Sequence, residues 1–154
     1  MSTGLDTFDK TVQESNLWLK AVMERLETDD RHRAYSTLRA VLHALRDRIG
    51  PESAAHLGAQ LPMLLRGLFY EGWDPTDKPT KERHNDAFPA HIARELPRAT
   101  EDEVEQGTLA VLDVLSKHVD RGAAVKIAGM FPQELRRFWP AFIQSAAQSG
   151  KSGA

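Results

Sequence analysis

The chain has 154 residues, with 20 Lys+Arg against 22 Asp+Glu for a formal charge of -2, 41% hydrophobic and 27% charged residues, and no Cys. These values describe a globular chain that can bury most of its apolar surface without disulfides or a structural metal. They exclude thiolate metal centres and cysteine nucleophiles, and give no global attraction to nucleic acid or anionic lipid.

Nothing reads as a strand, because no segment alternates with period two between turn signals. The first predicted helix carries Phe8, Val12, Leu19, Val22 and Leu26 as an apolar stripe of period near 3.6, with Asp6 or Thr7 as its N-cap. Asp29-Asp30 opens the second, whose core face is Ala34, Leu38, Val41, Leu42, Leu45 and Ile49. Gly50 ends it, and Pro51 suits the first position of the next helix, which runs to Leu61. Pro62 breaks that rod, because proline has no N–H and clashes with the preceding turn, and a short helix follows from Met63 to Phe69. Residues 74–82 form a polar linker stiffened by Pro75 and Pro79.

Beyond the linker, Thr100 and Glu103 have the spacing of a capping box, so a helix starts there with Val104, Val111, Leu112, Leu115 and Val119 on its core face. Pro132 breaks the chain as Pro62 does, and a last helix is expected from Gln133 to about Ala146. The remaining residues, 147–154, are rich in Gly and Ser and read as a disordered tail. No apolar run approaches the roughly 20 residues of a membrane span. The N-terminus lacks the basic start and apolar stretch of a signal peptide, so a cytoplasmic location is expected.

An internal repeat organises these elements. Ala40-Val41-Leu42 lies on Ala110-Val111-Leu112 at a shift of 70 positions, and the match continues through Leu45 and Leu115, Ala54 and Ala124, Pro62 and Pro132, and Leu65-Arg66 and Leu135-Arg136. Upstream, Trp18, Val22 and Leu26 fall on Phe88, Ile92 and Leu96. The expected fold is therefore all-α, about eight helices in two pseudo-repeated four-helix units, residues 1–73 and 83–146, packed as one compact domain.

The string from Gln60 to Trp73, with Leu61-Pro62, Leu65-Arg66-Gly67 and Tyr70-Glu71-Gly72-Trp73, resembles a bacterial family known as domain of unknown function 2267. Arg33-Ala34-Tyr35 and the stretch from Leu38 to Arg48 resemble it too, and the likeness runs from about Phe8 to Pro140. The resemblance implies an all-helical protein and supplies no catalytic residues. The second copy departs from the string, with Arg137 in place of Gly67 and Pro140 in place of Tyr70.

Several groups invite a functional role. Arg66 and Arg136 recur at one place in both copies, where a guanidinium fork suits either a carboxylate or phosphate ligand or the exposed carbonyls of a helix end. Phe69, Tyr70 and Trp73 are either binding anchors or a staple that fixes the linker to the bundle, with Glu71 beside them. His43 with Asp47, and His91 with Glu95, lie at i, i+4, a spacing that permits a shared metal ion but is common on helix surfaces. His43 is also a conceivable phosphoacceptor, although its neighbourhood does not distinguish it from an ordinary histidine. Arg31, Arg33, Arg39, Arg46 and Arg48 make one helix basic, but Asp29, Asp30 and Asp47 lie among them.

No Gly-rich phosphate loop, Gly-x-Ser-x-Gly elbow or His-Glu-x-x-His motif occurs. The expectation is a non-enzymatic interaction module without metal or cofactor, binding a protein partner or a second copy of itself through Arg66, Phe69, Tyr70, Glu71 and Trp73. The rival is a nucleic-acid-binding regulator using Arg31, Arg33, Arg39 and Arg46. A third class, a helical enzyme or small-ligand binder, would present an enclosed polar pocket holding His43 or Arg66.

Overall fold

A computed structural model describes residues 2–80 and 86–152. Among these the chain is all-α, with eight α-helices, one 3-10 helix and no strand. The first four are α1 (Asp6–Leu26), α2 (Arg31–Ile49), α3 (Pro51–Ala59) and α4 (Met63–Tyr70). The rest are α5 (Ala87–Arg94), α6 (Glu101–His118), α7 (Arg121–Gly129), the 3-10 turn Gln133–Phe138 and α8 (Ala141–Ser152).

The caps explain the boundaries. The Asp30 side chain accepts the Arg33 N–H at 3.0 Å to open α2, and Gly50, at φ 86°, ends it in a conformation that side-chain-bearing residues avoid. Pro51 begins α3, and Pro62 stands between α3 and α4. Thr100 and Glu103 complete the capping box of α6, at 3.1 and 3.0 Å. Helix α1 starts one residue earlier than expected, with Leu5 at its N-cap in place of Asp6 or Thr7. The Asp9 carboxylate instead accepts from the Thr3 backbone at 2.6 Å, which holds that carboxyl below its usual range.

Two expectations are corrected at the C-terminal end. The single helix foreseen from Gln133 is a 3-10 turn followed by α8, because Pro140 has no N–H and interrupts the ladder. Helix α8 then extends to Ser152, well past the point where the tail was expected to begin. The end of the linker and the start of the second unit, residues 81–85, lie outside the described residues, as do residues 153–154.

Helix α2 is central, packing against α1, α3, α4, α5 and α6, while α1 lies across both α2 and α6. Buried apolar residues from both halves of the sequence form one contiguous cluster, including Leu38, Leu42, Leu45 and Phe69 with Phe88, Leu112, Phe131 and Trp139. Pairs of elements start 70 positions apart: α2 and α6, α3 and α7, and α4 and the 3-10 turn.

Where α2 crosses α6 the backbones come close at Gly107, at which an added Cβ would stand 2.6 Å from Thr37 Cγ2. Gly58 plays a similar part in α3, since a Cβ there would meet the Tyr70 hydroxyl at 2.3 Å.

Candidate functional site

The first candidate is the polar stripe of α2. An α-helix leaves its last carbonyls unpaired, and its C-terminus favours positive charge. Cationic side chains in this fold meet both demands. Arg46 donates to the carbonyls of Phe69 and Glu71, each at 3.0 Å, and His43 Nε2 lies 2.8 Å from the Leu68 carbonyl. These two residues of α2 thus cap the end of α4.

Arg66 does the same for α3, donating to Gly58 at 2.8 Å and to Ala59 and Leu61 at 3.2 Å. Arg136 donates to Phe131 at 2.9 Å and Gly129 at 3.3 Å. Those carbonyls lie 70 positions after Leu61 and Ala59, so the two arginines hold equivalent backbone atoms.

The histidine and acid pairs visible at i, i+4 are exchanged between helices. His43 does not face Asp47: its Nδ1 stands 3.0 Å from both Glu95 oxygens, at the C-terminal end of α5. His91, on α5, lies 3.5 Å from Asp47, which in turn accepts two bonds from Arg46 at 2.9 and 3.2 Å. Arg39 spans the edge of this network and bonds to both Glu95 and Glu71.

Electrostatics follow the geometry. The Arg39 hydrogen bond and charge hold the Glu71 carboxyl below its usual range. Burial pushes His91 below the ordinary histidine value, with the Asp47 charge opposing. No group of three or more His, Cys, Asp or Glu side chains suited to a metal ion occurs among the described residues.

The aromatic string is largely internal. Phe69 is fully buried, and the Tyr70 hydroxyl lies 3.4 Å from the Ala54 carbonyl above Gly58. Trp73 packs on Tyr70 with ring centroids 5.2 Å apart, and its Nε1 is buried. Glu71 alone of the five residues Arg66, Phe69, Tyr70, Glu71 and Trp73 is exposed, and it is paired with Arg39.

The basic helix is similarly occupied. Arg46 is buried, Arg31 bonds to Asn16, and Arg33 pairs with Glu103 at 3.5 Å. Three clefts of about 430, 690 and 450 Å³ open to solvent, and none is lined by His43 or Arg66. The first reaches Glu95 but stops short of His43.

A second candidate was hidden by periodicity. Phe8 and Val12 belong to the apolar stripe of α1, yet they are 53% and 42% exposed, whereas Trp18 and Val22 on its later turns are buried. Met63 and Leu64, at the start of α4, are 52% and 54% exposed. The Leu64 N–H donates to Thr11 Oγ1 at 2.9 Å, which brings the start of α4 against the turn of α1 that carries Phe8 and Val12. Side chains of this size left in water where two helices meet are the kind of surface that binding uses.

No helix among the described residues is long and apolar enough to cross a membrane. Curated proteins gave no match to the chain. A family model described as "Uncharacterized conserved protein (DUF2267)" matches residues 15–138, covering α2 to α7 in full and most of α1. The chain therefore belongs to the DUF2267 family of uncharacterized conserved proteins.

Proposed function

We propose that the chain is a non-enzymatic helical interaction module that docks a protein partner through the α1/α4 face around Phe8, Val12, Met63 and Leu64. The observation that carries this reading is the exposure of four large apolar side chains on two helices joined by the Thr11 to Leu64 hydrogen bond. The surface first suggested by the aromatic string is set aside, because Arg66 is engaged by the carbonyls at the end of α3 and Phe69 is buried. Leu5, 49% exposed one turn before Phe8, extends the face.

The nucleic-acid alternative is disfavoured by the same geometry. A protein that neutralises phosphates needs cations free to reach them, and Arg31, Arg33, Arg39 and Arg46 are each engaged by protein atoms. A non-enzymatic role in the cytoplasm remains part of the proposal, and a second copy of the chain is one admissible partner.

The test is in-cell photo-crosslinking with a photoreactive phenylalanine at Phe8, at Leu64 and, as control, at Lys126. One discrete adduct from both Phe8 and Leu64, absent from Lys126, is the expected result. Adducts of equal yield from all three positions would overturn the reading. An adduct of twice the chain mass identifies the partner as a second copy.

A further inference from the structure

We propose that a single proton shared in the His43–Glu95 pair latches α5 to α2, so that contact between these helices depends on pH. The argument is donor and acceptor accounting. His43 Nε2 faces the Leu68 carbonyl at 2.8 Å, and a carbonyl only accepts. Nδ1 faces both oxygens of Glu95 at 3.0 Å, and an ionised carboxylate also only accepts.

A neutral imidazole has one N–H and one lone pair, so it would leave a lone pair aimed at an oxygen. Both contacts are satisfied only when both nitrogens carry hydrogen, or when the second proton sits on Glu95 and points at Nδ1. Arg39 donates to the same carboxylate, which leaves His43 Nδ1 as the donor in the pair.

The charged groups arranged around the pair are Arg39, Arg46 and Asp47 on α2, Glu71 at the end of α4, and His91 on α5. His43 is 4% exposed, so water does not replace a lost contact readily. Glu95 also lines the 430 Å³ cleft beside Leu96, Pro97 and Arg98. Release of the proton therefore loosens a wall of that cleft as well as the α2/α5 contact. The repeat does not duplicate the device, since Asp113 stands 70 positions after His43 and Leu109 after Arg39.

The experiment is ring nitrogen NMR of the histidines across neutral and mildly alkaline pH, on the full chain and on Glu95→Gln. A glutamine amide can donate to Nδ1, so the variant satisfies a neutral imidazole without the extra proton. The intact chain should show both His43 nitrogens protonated at neutral pH, and the variant should show one neutral tautomer with hydrogen on Nε2.

A single neutral tautomer of His43 in the intact chain at neutral pH, with Glu95 ionised, would overturn the proposal. Amide exchange on α5 gives a second reading that needs no variant to fold. The opening equilibrium should rise about tenfold per pH unit while the closed pair holds a proton that the opened pair has released, and level off once the closed pair loses it, as for a one-proton linkage. An opening equilibrium independent of pH would contradict the latch.

Discussion

Replacing Arg46 by Met separates a structural arginine from a surface one. The side chain is 6% exposed and makes four hydrogen bonds, two to Asp47 and two to the carbonyls of Phe69 and Glu71. Methionine fills similar length but leaves the Asp47 carboxylate, itself 10% exposed, with His91 at 3.5 Å as its remaining side-chain partner among the described residues. Removing one member of a buried ion pair costs about 3–5 kcal/mol, because the other charge stays desolvated.

Against a total stability of about 5–15 kcal/mol for a domain, this is a large fraction. At about 2–4 °C per kcal/mol for a chain of this size, the melting temperature should fall by about 6–20 °C. Thermal denaturation followed by circular dichroism measures it directly. Arg39→Met is the internal control: its side chain is 32% exposed, and the expected loss is about 1 kcal/mol or less. A loss for Arg46→Met no larger than that of Arg39→Met would refute the assignment of Arg46 as an interior cap of α4. The phosphate-contact reading predicts that small loss.

Three further outcomes follow from local geometry. Gly107→Ala drives a Cβ into Thr37 Cγ2 at 2.6 Å, and Thr37 is held by its bond to the Arg33 carbonyl at 2.8 Å. Overpacking of about 1–3 kcal/mol should therefore exceed the helix-propensity gain of about 0.5–1 kcal/mol, and a stabilised variant in thermal denaturation would contradict the close crossing. Thr100→Ala removes the α6 capping box and should cost about 1 kcal/mol in the same assay.

His91 supplies a pH dependence of defined sign. Its folded value lies below its unfolded value, so the unfolded chain binds more protons between the two. Its contribution is present above the ordinary histidine value of about 6.5 and is lost as pH falls below it. His91→Gln should flatten that acid-side loss in denaturation midpoints compared across mildly acidic pH. An unchanged slope would exclude His91 as its source.

Much of the fold was legible because its boundaries are written in single residues. Asp30, Gly50-Pro51, Pro62 and the Thr100/Glu103 box each impose a local backbone outcome, and each stands at its expected boundary. Pro140 carried the same signal, and the helix foreseen across it is broken there.

The sites were less legible, for a physical reason. Spacing on one helix shows which residues share a face, but packing decides what they face. His43 and Asp47 look like a pair in sequence, whereas His43 takes Glu95, 52 positions away, and Asp47 takes His91. The stripe through Phe8 and Val12 shows amphipathicity, but whether a neighbouring helix reaches far enough to cover it is a property of length and crossing angle. Burial of Arg46 was hidden likewise, because charged side chains are ordinarily outside and its carbonyl partners lie in another helix.

The most direct test of the α1/α4 account is affinity capture by the intact chain, by Phe8→Ser/Leu64→Ser and by Glu71→Ala, each first shown to be folded. The account predicts a protein retained by the intact chain and by Glu71→Ala but lost from Phe8→Ser/Leu64→Ser. Retention that survives the loss of Phe8 and Leu64 and disappears with Glu71 would contradict it, and would return the binding surface to the end of α4.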